Sequence, residues 1–381
     1  MEFVSSVTAL GGSFFSYLLP FLFVLTVVVF FHELGHFWVA RRCGVKVDAF
    51  SIGFGPELFG FHDRQGTHWR VAAIPLGGYV RFHGDDSVAS TPDLRAIAAM
   101  NPEEKRVSFF AQPVWKRAVV VAAGPIANFI LAVVIFAAVF AFYGRQMTAP
   151  RVDAVQPGSA AEIAGFKPGD LVVSIDGQEI ESFSDMQRVV GAAPGVPLKI
   201  EIDRVRQRLT LTATPELKEI KDNFGNVHRI GVLGITRSAT PADVVTKRYG
   251  LGESLTMGVG ETWFVIERTL GYIGGIIAGR ESADQLGGPI RIAQVSGQVA
   301  TVSFAALLHL TAVLSVSIGL LNLFPVPLLD GGHLLFYAIE AVRGRPLSEK
   351  AQEYGFRVGL ALVLMLMIVA TWNDIMHLAS L

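Results

Sequence analysis

Long apolar runs break the chain into pieces. Leu18 to Ala40 and Val119 to Phe142 are almost wholly apolar, and a third run lies within Ile292 to Leu329, which contains no Asp, Glu, Lys or Arg. Lipid cannot satisfy backbone polar groups, so crossing it takes a complete helix of about 20 largely apolar residues. Val358 to Trp372 is shorter and reaches across only if Arg357 extends to the headgroups. The pattern predicts four helical spans. The first is not expected to be a cleaved signal peptide, because no positive charge precedes it and its apolar run exceeds an h-region.

Between the spans the period changes. Residues 47 to 83 alternate apolar and polar side chains around several glycines, as in Phe50, Ile52 and Phe54 and again in Trp69, Val71 and Ala73. A period of two predicts a short β-hairpin or two beside the first span. Pro102 to Ala111, with Phe109 and Phe110 next to Glu103, Glu104, Lys105 and Arg106, predicts an interfacial helix. After Phe142 the chain reads as soluble. Strands are expected at Leu171 to Ile175, Leu198 to Asp203, Leu209 to Ala213 and Ile230 to Ile235, with a turn at Asp176-Gly177, a helix near Phe183 to Val190 and a boundary near 238. Gly252 to Gly279 carries Glu253, Glu261, Glu267 and Arg268, which predicts a helix lying on the surface rather than a fifth crossing.

Composition agrees with a membrane protein: 51% of the 381 residues are hydrophobic and 17% charged, against about 25% charged in soluble domains. The single Cys43 excludes an intramolecular disulfide. With 32 basic and 33 acidic residues the net charge of -1 gives no general attraction to nucleic acid, and none is expected as a partner. The lysines and arginines are unevenly placed. Between the first two spans they run from Arg41 to Arg117, including Arg64, Arg95 and Lys105, and between the last two from Arg343 to Arg357, while residues 1–17 and 373–381 have none. Basic short loops stay cytoplasmic, so both chain ends and residues 144–290 are expected outside.

One span carries a possible metal motif. His32, Glu33, Leu34, Gly35 and His36 spell H-E-x-x-H. On a helix, positions i and i+4 share a face, so both imidazoles could hold one Zn²⁺ while Glu33 takes a proton from water. Ionisable groups at membrane depth are expensive, so three within five positions need a common partner; the competing reading is an interfacial, solvated triplet near Arg41 and Arg42. A catalytic zinc usually has three protein ligands. Asn322 to His333 reads N-L-F-P-V-P-L-L-D-G-G-H, where two prolines break a helix before Asp330. Asp330 there could reach a metal or simply cap the next helix.

These two motifs resemble those of the site-2 intramembrane metalloproteases, most closely the bacterial RseP-type members. GFGP at Gly53 to Pro56, IPLGGYV at Ile74 to Val80, AGPIAN at Ala123 to Asn128 and GPIRI at Gly288 to Ile292 extend the resemblance over all four spans. It implies zinc as cofactor, His32, His36 and Asp330 as its ligands, and Glu33 as general base. It also implies Asn322 as a polar group near the substrate or the developing oxyanion. His333 is a further candidate ligand on spacing alone, ranked after Asp330. The hairpin region is implied to be a membrane-reentrant sheet that receives substrate as an added strand.

The soluble segment resembles a bacterial PDZ domain, from Val152 through the turn glycines Gly158, Gly165 and Gly169 to the Asp176-Gly177 turn. RseP-type proteins often carry two in tandem, and one repeat is visible here. The expected fold is thus a polytopic α-helical membrane protein with four transmembrane helices, a membrane-associated β-hairpin and one inserted α+β PDZ domain. Its parts are a first core segment (1–143), the PDZ domain (148–238), which either binds a peptide C-terminus or only blocks access, and a second core segment (239–381). The expected function is intramembrane cleavage of single-span proteins, such as an anti-sigma factor or remnant signal peptides, in a bacterial inner membrane, with the active site toward the cytoplasm. Two alternatives stay open: a catalytically inactive PDZ scaffold, which would not need Glu33, and a metal transporter, which would be expected to show several intramembrane sites and inverted repeats.

Overall fold

The computed structural model describes residues 2–85, 99–221, 227–238, 240–279, 283 and 287–379; Arg95 falls outside them. The chain divides into two compact units. One is built mainly from the segments up to Val139, from Leu251–Ala278 and from the C-terminal stretch; the other is chiefly Phe140–Gly250.

Among the described residues four helices are long and apolar enough to cross a membrane: Phe15–Arg42, Val114–Phe142, Phe304–Asn322 and Glu349–Ala379. The first is the major part of helix α1 (Glu2–Arg42), which leads into strands β1 (Val47–His62) and β2 (His68–Phe82). The strands form a two-stranded antiparallel sheet whose register shifts repeatedly between Ile52 and Phe59. Gly53 and Gly55 stand there at φ 87° and 85°, a conformation that side chains rarely adopt. The sheet is seated on α1 through aromatic packing: Phe50 is fully buried, with its ring 5.5 Å from Phe37 and stacked 4.3 Å from Trp69. Its turn is tied to the same helix at Asp63, which pairs with Arg41 and accepts from Trp69 Nε1 at 3.1 Å. Burial alone would raise the Asp63 pKa, but hydrogen bonds from Trp69, Arg41, Thr67 and Gln65 hold it down at about 2.

Helix α2 (Pro102–Val107) is short and closed by a capping box between Asn101 and Glu104. The span α3 (Val114–Phe142) follows. The uncharged run before Asp330 is not one helix. It divides at Ser303 into α7 (Pro289–Val302) and the span α8 (Phe304–Asn322), following α6 (Leu251–Ile277). Ser303 is extended and its Oγ accepts from the Ala306 N–H at 3.1 Å, an N-cap that starts a new helix. Helix α6 lies against α3 where Gly258 meets the Val133 carbonyl, and it is not among the candidate spans. After a loop come α9 (Asp330–Arg343) and the span α10 (Glu349–Ala379).

In the other unit, strands β3 (Arg145–Thr148) and β4 (Ala154–Val155) precede α4 (Ala160–Ile163). Then come β5 (Leu171–Ile175), β6 (Gln178–Glu179), α5 (Phe183–Ala192), β7 (Leu198–Arg204) and β8 (Gln207–Ala213). Strands β9 (Glu216–Lys221), β10 (Val227–Val232), β11 (Ile235–Thr236) and β12 (Val244–Lys247) complete it. A four-stranded sheet in the order β6-β5-β7-β8 covers a core of Val172, Ile175, Ile200, Ile202, Phe166, Met186 and their neighbours. Inward positions alternate with polar ones along β7, as a sheet with one buried face requires. The unit runs past residue 238, because β12 pairs with β3 and brings the entering and leaving chain segments side by side.

Candidate metal centre

H-E-x-x-H lies on α1, so His32 and His36 stand one turn apart on one face. Their Nε2 atoms are 3.2 Å from each other. Asp330 Oδ2 is 3.2 Å from His32 Nε2 and 3.5 Å from His36 Nε2. Among the described residues these three side chains form a group able to hold a metal, with donor atoms within 4.8 Å of one another. Asp330 Oδ2 is buried and makes no hydrogen bond. Electron-pair donors crowded together in this way repel one another unless a cation stands among them, so the donor set fits a metal ion, and two nitrogens with one carboxylate suit zinc.

The helix crossing that builds this group depends on small residues of α3. A β-carbon at Gly35 would overlap the Ala123 carbonyl, and one at Gly124 would overlap the His36 ring and come within 2.9 Å of His32 Cε1. The outer ring nitrogens are held as well. His36 Nδ1 is 2.9 Å from the Val120 carbonyl, which can only accept, so the proton is on Nδ1 and the Nε2 lone pair is free. Asn128 Nδ2 lies 3.3 Å from His32 Nδ1.

Asp330 is aimed by the loop that precedes it. Leu328 adopts φ 92° in this loop, a strained value for a leucine. A β-carbon at Gly331 would overlap the carbonyls of Phe324 and Leu323, and one at Gly332 that of Val326. The loop thus folds back onto the first turn of α9, which only glycines allow.

The stem of Glu33, on the same helix as the two histidines, lies against β2 at Gly78. Asn322 is half-buried at the end of α8, and among the described residues its side chain makes no hydrogen bond to the donor group. His333 takes no part in the donor group: its ring lies 5.5 Å from Phe356 and 6.5 Å from Tyr337. Gly124 and Asn128 carry no assigned role in the sequence reading; the signal available was the AGPIAN run that contains both.

The profile of peptidase family M50 matches residues 20–366. The chain belongs to peptidase family M50. This M50 peptidase is a zinc metalloprotease, and with its four candidate membrane helices it is a site-2 protease, one that cleaves within the membrane. A protein of Agrobacterium fabrum assigned to the zinc metalloproteases is 50% identical, covering 98% of this chain and 100% of that protein. Metalloprotease MmpA of Caulobacter vibrioides is 42% identical, covering 94% and 95% respectively. The regulator of sigma-E protease RseP of Escherichia coli is 32% identical, covering 96% and 100%.

Proposed function

We propose that this M50 peptidase binds zinc through His32, His36 and Asp330 and cuts single-span membrane proteins, with Glu33 as the general base. The observation that carries the reading is the meeting of Asp330 with the two imidazoles, donor atoms facing one another. Zinc supplies Lewis acidity, which activates water and polarises a carbonyl. The chain does the rest. Glu33, next in sequence to a ligand, takes the proton of the attacking water and returns it to the leaving amine. Asn322 supports charge developing on the carbonyl oxygen.

Among the described residues each strand of the β1–β2 sheet pairs along one edge only, and β2 comes close to Glu33 at Gly78. A substrate segment added along such an edge would be held extended by backbone pairing whatever its side chains, which suits a protease for helical spans. The unit from 148 to 238 is read as one extracytoplasmic PDZ domain that screens substrates, and segments 1–143 and 239–381 as the two halves of the catalytic core. The placing of lysine and arginine supports an inner-membrane protein with both termini outside and the active site toward the cytoplasm. By analogy with a relative named as a regulator of sigma-E, an anti-sigma factor is the expected class of substrate.

The test is Glu33→Gln in purified protein given a single-span substrate. The expected result is normal zinc content with no cleavage; a variant that still cuts would sink the reading. Topology is checked by cysteine labelling in a Cys43→Ser background. A probe at the exposed Ile163 is expected to react from outside and one at exposed Arg64 only after lysis.

A further inference from the structure

Three residues of α3 meet the two histidines, and they are spaced by four: Val120, Gly124 and Asn128. Residues i, i+4 and i+8 share one helix face, so this face presents an acceptor, a gap and an amide in order. The Val120 carbonyl takes the His36 Nδ1 proton. Gly124 leaves room for both rings. Asn128, fully buried, stands 3.3 Å from His32 Nδ1, and its own Oδ1 has no partner.

We infer that Asn128 is the positioning residue for His32: its side-chain Oδ1 accepts the His32 Nδ1 proton, which leaves the Nε2 lone pair turned to the metal. The inference rests on the zinc site proposed above and adds what sets one ligand's tautomer. With the amide nitrogen toward His32, Nδ2 donates to Nδ1, and the neutral ring must then carry its proton on Nε2, pointing at His36 Nε2 and Asp330 Oδ2. That arrangement cannot ligate. The two ends of an asparagine amide have the same shape, and a half-turn exchanges them without moving any other atom. With the oxygen facing Nδ1, His32 matches His36: each holds its proton on the outer nitrogen, against an acceptor supplied by α3. Such outer partners orient ligands and fix the tautomer that binds metal.

Asn128 is itself held in place by α8. Ser315 Oγ donates to its backbone carbonyl at 2.8 Å, and Gly319 allows its β-carbon to approach closely. Through Asn128, the packing of α8 on α3 sets the orientation of a histidine on α1.

The test is zinc affinity of the full-length protein in detergent, measured by chelator competition. Wild type, His32→Ala, Asn128→Leu and Asn128→Asp are compared. Asn128→Leu, close in size but without an acceptor, should lose roughly ten- to a hundredfold in affinity. Asn128→Asp keeps an oxygen and loses the donor, so it should bind zinc nearly as wild type does. Wild-type affinity in the Leu variant, or an Asp variant as weak as the Leu variant, would overturn the assignment. If the Leu variant does not fold, the Asp variant decides alone: retained affinity supports an acceptor and lost affinity refutes it. A wild-type protein without zinc, or one whose zinc survives His32→Ala, would instead defeat the metal-site reading itself.

Discussion

Gly359 of α10 lies so close to the backbone of Pro327 that a β-carbon at 359 would overlap the Pro327 carbonyl oxygen and come within 2.7 Å of its carbon. Pro327 belongs to the loop that aims Asp330, and the fourth span thus acts as a stop for that loop. Gly359→Ala is expected to destabilise the membrane unit by about 1–3 kcal/mol, the usual range for overpacking. Because the loop must move, zinc content should fall as well. Metal analysis with thermal melting checks both, and a variant that melts early yet holds zinc normally would show that the contact does not set Asp330.

Glycine to alanine within a helix ordinarily adds up to about 1 kcal/mol of stability through propensity alone. Gly124→Ala should behave otherwise, since the added carbon would overlap the His36 ring. The expected outcome is loss of bound zinc and of cleavage with helix content unchanged in the metal-free state. Circular dichroism and metal analysis separate these, and a zinc-replete Gly124→Ala protein would contradict the geometry.

The soluble unit has its own electrostatic clamp. Asp170 is 1% exposed and receives Arg204 Nε on Oδ1 at 2.7 Å and Nη2 on Oδ2 at 2.8 Å. Burial alone would raise its pKa, but the Arg204 hydrogen bonds and charge, with the Lys167 N–H, outweigh it and hold the carboxyl below its ordinary range. A folded-state pKa below the unfolded value contributes stability above the unfolded pKa of about 3.9, and that contribution is lost as pH falls through the folded value. Protection factors for amide exchange along β5 and β7 in the full chain should accordingly be high at neutral pH and fall below about pH 4. Asp170→Asn should cost about 2 kcal/mol at neutral pH, as for a hydrogen bond to a charged group, and flatten the acid dependence. An unchanged acid response in the variant would assign that response to other groups.

Since β3 and β12 run side by side, residues 145–247 can be replaced by a short flexible linker. The proposed zinc ligands and Glu33 all lie in the other unit. The deletion is expected to keep zinc and Glu33-dependent cleavage and to lose discrimination between a full-length and a pre-trimmed substrate. Retained zinc with neither substrate cut would make the soluble unit part of catalysis or substrate delivery rather than a filter.

What the sequence by itself determined was local. Hydropathy marked the spans, since lipid imposes a minimum apolar length; the i, i+4 spacing put His32 and His36 on one helix face; and turn glycines and alternation outlined the soluble unit. The proposal of Asp330 as third ligand came from resemblance, because its own residues are equally compatible with a helix cap. Tertiary structure decided what these faces meet. Only packing shows that Asp330 reaches the imidazoles, that His333, three residues on, turns to Phe356, and that Gly124 and Asn128 flank the histidines from α3. Ser303 splits an uncharged run that hydropathy reads as continuous, and the four-residue strands β3 and β12 pair across the whole soluble unit. Periodicity records which side of an element is apolar. It carries no record of which other element fills that side, because that depends on where small residues let distant backbones approach.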